Sequence, residues 1–159
     1  MDMKVAKTFS WEAAHRIPWH EGLCRNLHGH SYQMWVTLEG PVGDKGMVMD
    51  FQHLKQLVKP LVEAWDHATL VARSDEELLS VVRAMHWKHF VFPADTTAEH
   101  LASYVADYML KEHAEVFARY NITSITVRIA ETATCYAEHT VRVGASTAVE
   151  SDKQMSASI

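Results

Sequence analysis

The sequence predicts an α+β fold, a four-stranded antiparallel sheet with two main helices on one face. Three observations predict it. Four segments alternate apolar and polar residues with period two, two longer ones place apolar residues at steps of three and four, and the strand-like segments come in pairs with the helical ones between them. The chain has 159 residues, enough for one domain, placed here at residues 1–144 with an extended connection over 71–95 and a small, polar tail over 145–159 outside the fold. A composition of 48% hydrophobic and 22% charged residues supports a packed core and argues against disorder.

The first strand runs from Val5 to Ala13, with Val5, Phe9, Trp11 and Ala13 on one parity. The second starts at His28, where His28, His30, Tyr32, Met34, Val36 and Leu38 share a face, and it stops at the turn-forming Gly40, Pro41, Gly43 and Gly46. Asp50 is placed to cap a helix that buries Phe51, Leu54, Val58, Leu61 and Trp65, with a kink expected at Pro60. Ser74 with Glu77 and Thr96 with Glu99 have capping-box spacing. The first would open a short helix around Leu78, Val82 and Met85, and the second a longer one through Leu101, Val105 and Met109 to about Ala118. Ile125, Val127, Ile129 and Glu131 line a third strand, and Ala137, His139, Val141 and Val143 a fourth.

Charge and hydropathy narrow the function. Fifteen Lys and Arg against twenty Asp and Glu give a net charge of -5, and no basic run exists to track a phosphate backbone, so no nucleic-acid partner is expected. No apolar stretch reaches the ~20 residues of a membrane span, and Met1–Lys4 does not open a secretion signal, so the expected location is the cytoplasm, with no membrane partner. Cys24 and Cys135 are too few for a disulfide framework.

Histidine is the anomaly, at eleven residues. His28 and His30, two apart in a strand, leave the same face. His15 follows the first strand on its apolar parity, and antiparallel pairing of the two strands would bring it beside them. Three imidazoles without a fourth protein ligand form an open zinc site. Cys24 has two readings: a fourth ligand that closes a structural Cys-His₃ site, or a thiolate just outside the metal's ligands, serving as base or nucleophile. Cys135, with no cluster around it, reads as a small buried hydrophobe. Asp66-His67 ends the first helix, either as a simple cap or as a carboxylate-oriented proton relay. Glu131 is costly to bury unless held for a ligand. The remaining histidines, His20 among them, are read as solvated or structural.

Together, Phe9–Arg16, Cys24-Arg25-Asn26-Leu27-His28-Gly29-His30-Ser31, Gly46–Phe51, Asp66-His67, Thr96–Glu99 and Glu131-Thr132 closely resemble the 6-pyruvoyl-tetrahydropterin synthase / 6-carboxy-tetrahydropterin synthase family. The three residues between Cys24 and His28 resemble its bacterial queuosine-pathway branch. The resemblance implies the tunnelling fold (T-fold), whose sheets join edge to edge into a barrel as a homo-oligomer, a trimer or hexamer with shared active sites. It implies zinc (Zn²⁺) on His15, His28 and His30, and catalysis by Cys24 with Asp66 and His67 acting across a subunit boundary. Glu131 and Thr132 would bind the pterin. The implied reaction converts 7,8-dihydroneopterin triphosphate to 6-carboxy-5,6,7,8-tetrahydropterin, releasing acetaldehyde and triphosphate. The alternatives are the pyruvoyl-forming reaction, which leaves the side chain uncleaved, or a non-catalytic zinc protein. Two features depart from the family pattern: the longer stretch from Arg73 to Ala94, and the tail beyond Gly144.

Overall fold

A computed structural model describes residues 1–144; the expected tail over 145–159 lies outside the described residues. In chain order the elements are β1 (Asp2–His15), β2 (His28–Pro41), α1 (Phe51–Trp65), β3 (Ala68–Ala72), α2 (Glu76–Ala84), β4 (His89–Phe92), α3 (Ala98–Arg119), β5 (Ser124–Thr132) and β6 (Cys135–Arg142).

The α+β class is as expected, but the sheet has six strands, in the order β4-β3-β1-β2-β5-β6. The four expected strands pair antiparallel at its centre and one side, while β3 and β4 extend it with parallel pairing. Neither was expected: β3 runs into the start of the expected connection and β4 lies inside it. Every residue of β3, Ala68 to Ala72, is buried: Leu70 joins the main core and Val71 a smaller one with Leu78, Leu79 and Val82 of α2. A strand covered on both faces shows no alternation to read.

The main core lies between the sheet and α1 and α3. The even-numbered side chains of β2 from Tyr32 to Leu38 and the odd ones of β5 from Ile125 to Ile129 meet Leu54, Val58, Leu61 and Trp65 of α1 and Leu101, Val105 and Met109 of α3. Each such side chain contributes roughly 1.5–3 kcal/mol on full burial. Asp50 caps α1 through Gln52 N, as expected, but Phe51 is half exposed and Leu57 takes a place in the buried stripe. Helix α1 runs unbroken through Pro60. Pro60 and Gln56, whose carbonyl loses its partner, are both exposed, so water can replace the missing bond. The helical irregularity falls instead in α3 at His113, whose Nε2 bonds Leu57 O at 3.0 Å.

Both expected capping boxes move by one residue. Asp75, not Ser74, accepts from Leu78 N, and Thr97, not Thr96, accepts from His100 N. Thr96 is already engaged elsewhere, with consequences for the site.

Candidate active site

The metal candidate is built on the β1–β2 ladder. Fourteen consecutive pairs run from Asp2 opposite Pro41 to His15 opposite His28, with Ala13 opposite His30. Since alternate residues share a face, this register places three imidazoles on one side of the sheet end. One ligand atom from each of His15, His28 and His30 lies within 4.8 Å of the others, and His28 Nε2 and His30 Nε2 are 3.1 Å apart.

Their surroundings favour metal binding over protonation. His15 is 2% exposed, and its Nδ1 faces Thr96 O at 2.8 Å and Thr96 Oγ1 at 3.2 Å. His28 Nδ1 faces Asn26 O at 2.6 Å. A backbone carbonyl accepts only from a protonated nitrogen, so both rings carry hydrogen on Nδ1, which leaves Nε2 as the atom each would offer a metal. Burial lowers the pKa of His15 to about 4, and burial with the neighbouring His28 also lowers that of His30. Three imidazoles converging within 4.8 Å are a donor set suited to zinc, and the residues present fit that ion. Cys24 lies outside this ligand cluster.

A cleft of about 210 Å³ opens beside the cluster, and its lining includes His15, Cys24, Glu99, Glu131 and Cys135. Glu131, 23% exposed, sets one carboxylate oxygen 3.8 Å from His15 Nε2 and the other 3.7 Å from His30 Nε2. Burial raises its pKa, with His28 opposing and Glu99 adding to the rise. Cys24 is exposed, in the short 3₁₀ turn Leu23–Arg25 between β1 and β2. Cys135 corrects an expectation: it is exposed, not buried, and 3.0 Å from Thr132 Oγ1. His20, read as a bystander, also lines the cleft.

Asp66 and His67 lie elsewhere. His67 lines a separate concavity with Glu12, His30 and Ser31, and its side chain is 76% exposed. Asp66 Oδ1 accepts from Glu12 N and from His67 Nδ1, both at 3.0 Å, and these bonds, the backbone one foremost, lower its pKa. The His67 backbone is left-handed at φ 57°, held by its N–H bond of 2.6 Å to Glu12 O. Such a conformation costs a non-glycine residue of order 1 kcal/mol or more and clusters at functional sites. Within one chain, then, the structure gathers His15, Cys24 and Glu131 around one cleft, whereas His67 lines a separate concavity that includes His30 of the metal cluster.

A model of the 6-pyruvoyl tetrahydropterin synthase family matches residues 4–142. The chain belongs to this family. Among curated relatives it is 33% identical to the 6-carboxy-5,6,7,8-tetrahydropterin synthase of Haemophilus influenzae, over 86% of this chain and 97% of that protein. The enzyme of the same name from Aquifex aeolicus is 32% identical, over 87% and 98%. Among solved structures, the 6-pyruvoyl tetrahydropterin synthase of Plasmodium falciparum superposes with a TM-score of 0.72 at 20% identity, covering 89% of this chain and 99% of that one. The family's T-fold is therefore the fold of this chain. Among the described residues no helix is long and apolar enough to cross a membrane.

Proposed function

We propose that the protein is a zinc-dependent 6-carboxy-5,6,7,8-tetrahydropterin synthase, a lyase that converts 7,8-dihydroneopterin triphosphate with release of acetaldehyde and triphosphate. The observation that carries this reading is the convergence of His15, Cys24 and Glu131 on one cleft. Its support from relatives is the pair of full-length matches above 30% identity that bear this enzyme's name.

His15, His28 and His30 would hold the zinc, which when bound supplies Lewis acidity to the side-chain oxygens of the substrate. The rest is the work of the chain's own side chains. Glu131 is placed to accept hydrogen bonds from the guanidine-like edge of the pterin, a contact strengthened by the carboxylate's charge. Thr132 would add a hydroxyl, 3.0 Å from Cys135 Sγ. The Cys24 thiol takes and returns a proton at the carbons of the side chain, and His67, oriented by Asp66, is its counterpart.

Because His67 and Cys24 line different concavities of their own chain, the reading has His67 serve a neighbour's Cys24. A trimer or hexamer satisfies this requirement. The sheet is suited to such assembly: β3 pairs with β1 only at Ala13 and Ala14, leaving the outer edge of β1 from Asp2 to Ser10 without a partner strand among the described residues. The reading places the enzyme in the cytoplasm, on the route to queuosine.

The test is product analysis. Incubation with 7,8-dihydroneopterin triphosphate should release acetaldehyde and leave the 6-carboxy product. A 6-pyruvoyl product without acetaldehyde would move the protein to the other reaction of its family, and no turnover by zinc-loaded protein would overturn the enzymatic reading.

A further inference from the structure

The loop carrying Cys24 has little burial of its own. From Pro18 to Leu27 every residue is exposed, and Ile17 alone among residues 16–27 is buried. Yet two side-chain links tie this loop to the long segment between β3 and α3. Arg16 donates through Nε to Asp75 Oδ2 at 2.7 Å and through Nη2 to Asp75 Oδ1 at 2.6 Å, a two-pronged guanidinium–carboxylate pair. Trp19 donates its indole N–H to Asp95 Oδ2 at 3.0 Å.

Asp75 is itself a fixed point. It is 7% exposed and caps α2 through Leu78 N. The connection to the thiol is short, because Ile17, next to Arg16, donates its backbone N–H to Cys24 O at 2.9 Å. Anchoring Arg16 therefore anchors the backbone at Cys24. Trp19 lines the same cleft as Cys24, and its bond to Asp95 holds the other side of the loop. The segment between β3 and α3 thus supplies both acceptors.

We infer that Asp75 and Asp95 are positioning residues for Cys24: the segment between β3 and α3 acts as a clamp that holds the thiol's loop over the cleft, through Arg16–Asp75 and Trp19–Asp95. The inference rests on the reading of Cys24 as the reacting thiol, and its test keeps the two separable.

The variants are Asp75→Asn, Asp95→Asn and Arg16→Lys in the full chain. Asparagine caps a helix about as well as aspartate, so Asp75→Asn spares α2 while removing the charge and one acceptor of the pair. Lysine keeps the charge of Arg16 and loses its fork. Alkylation of the two cysteines by iodoacetamide, resolved by peptide mass spectrometry across pH, should show the rate at Cys24 shifted at least threefold in Asp75→Asn and Arg16→Lys, with Cys135 unchanged as the internal control. Turnover should fall about tenfold with KM altered less than twofold and zinc retained. Asp95→Asn should act in the same direction but less, having one bond to lose, and Asp75→Glu should restore most of both readouts. Unchanged Cys24 alkylation in Asp75→Asn and Asp95→Asn would overturn the clamp, as would a loss confined to zinc content or to both thiols equally. If Cys24→Ala instead turned over at the wild-type rate, the catalytic reading would fall while the alkylation result still judged the clamp.

Discussion

His15, His28 and His30 stand on two strands of fourteen residues each, paired along their whole length, whereas Cys24 sits in an exposed loop and His67 in a left-handed turn. The metal candidate is positioned by sheet register and by carbonyls that fix the imidazole tautomers. The proton-transfer groups are positioned by a few polar links, and on the proposed reading by a second copy of the chain. Metal binding should therefore be a property of the single fold, and turnover a property of loops and assembly.

The largest effect is expected at the ladder. His28→Ala leaves two imidazoles, too few to hold zinc tightly, so metal content by atomic absorption should fall to near zero and turnover by more than ~10³-fold. Full zinc content in this variant would place the site elsewhere.

The loop and turn should behave differently. Cys24→Ala and His67→Ala should each keep zinc and oligomer while losing about 10²- to 10⁴-fold in acetaldehyde release, the range for a general acid or base. Combining them should cost much less than the product of the separate losses, because groups acting as a unit are not additive. Mixing the two single variants sharpens the test: if His67 serves a neighbouring chain, mixed oligomers regain sites with both groups intact. Light scattering that finds a fully active monomer would reject the shared site.

The same contrast explains what could be read from the sequence. His28 and His30 stand at even positions in a run with period-two alternation, so their common face was legible, and the parity of Val5, Phe9, Trp11 and Ala13 extended that reading to His15. Strand β3 was not legible, because burial on both faces erases alternation, and β4 offers only four residues. The caps were misplaced by one position because the sequence does not show which of two neighbouring polar residues is already engaged. Cys135 was misread because nothing in its local pattern distinguishes a buried cysteine from one at the start of an exposed strand. Asp75 and Asp95 gave no signal, since their partners are fifty-nine and seventy-six residues away.

A smaller effect concerns the Arg16–Asp75 pair. The bond to Arg16 holds the Asp75 carboxyl below its ordinary value of 3.8, so the pair's stabilisation is complete above that value and is lost as pH falls through the depressed folded-state value. Charge-assisted hydrogen bonds contribute about 1.5–3 kcal/mol, so Asp75→Asn should lower Tm at pH 7 by roughly 3–12 °C. Wild type and variant should converge in strong acid. A Tm gap that stayed constant down to pH 2 would mean that Asp75 contributes through packing and not through its charge.

The smallest effect separates two adjacent threonines. Thr97 caps α3 and Thr96, fully buried, faces His15 Nδ1 with both its carbonyl and its hydroxyl. Losing a cap costs about 1 kcal/mol, so Thr97→Ala should lower Tm by roughly 2–4 °C and leave zinc affinity unchanged. Removing a partner behind a ligand typically weakens metal binding by ~10- to 100-fold. Thr96→Val leaves the carbonyl, the shorter of the two contacts, so its loss of zinc affinity should fall below tenfold. Competition with a chromogenic chelator measures both variants. Equal effects on zinc affinity would mean that His15 is held by the start of α3 as a whole; an effect at Thr96 alone would place the support of the metal candidate in that one residue.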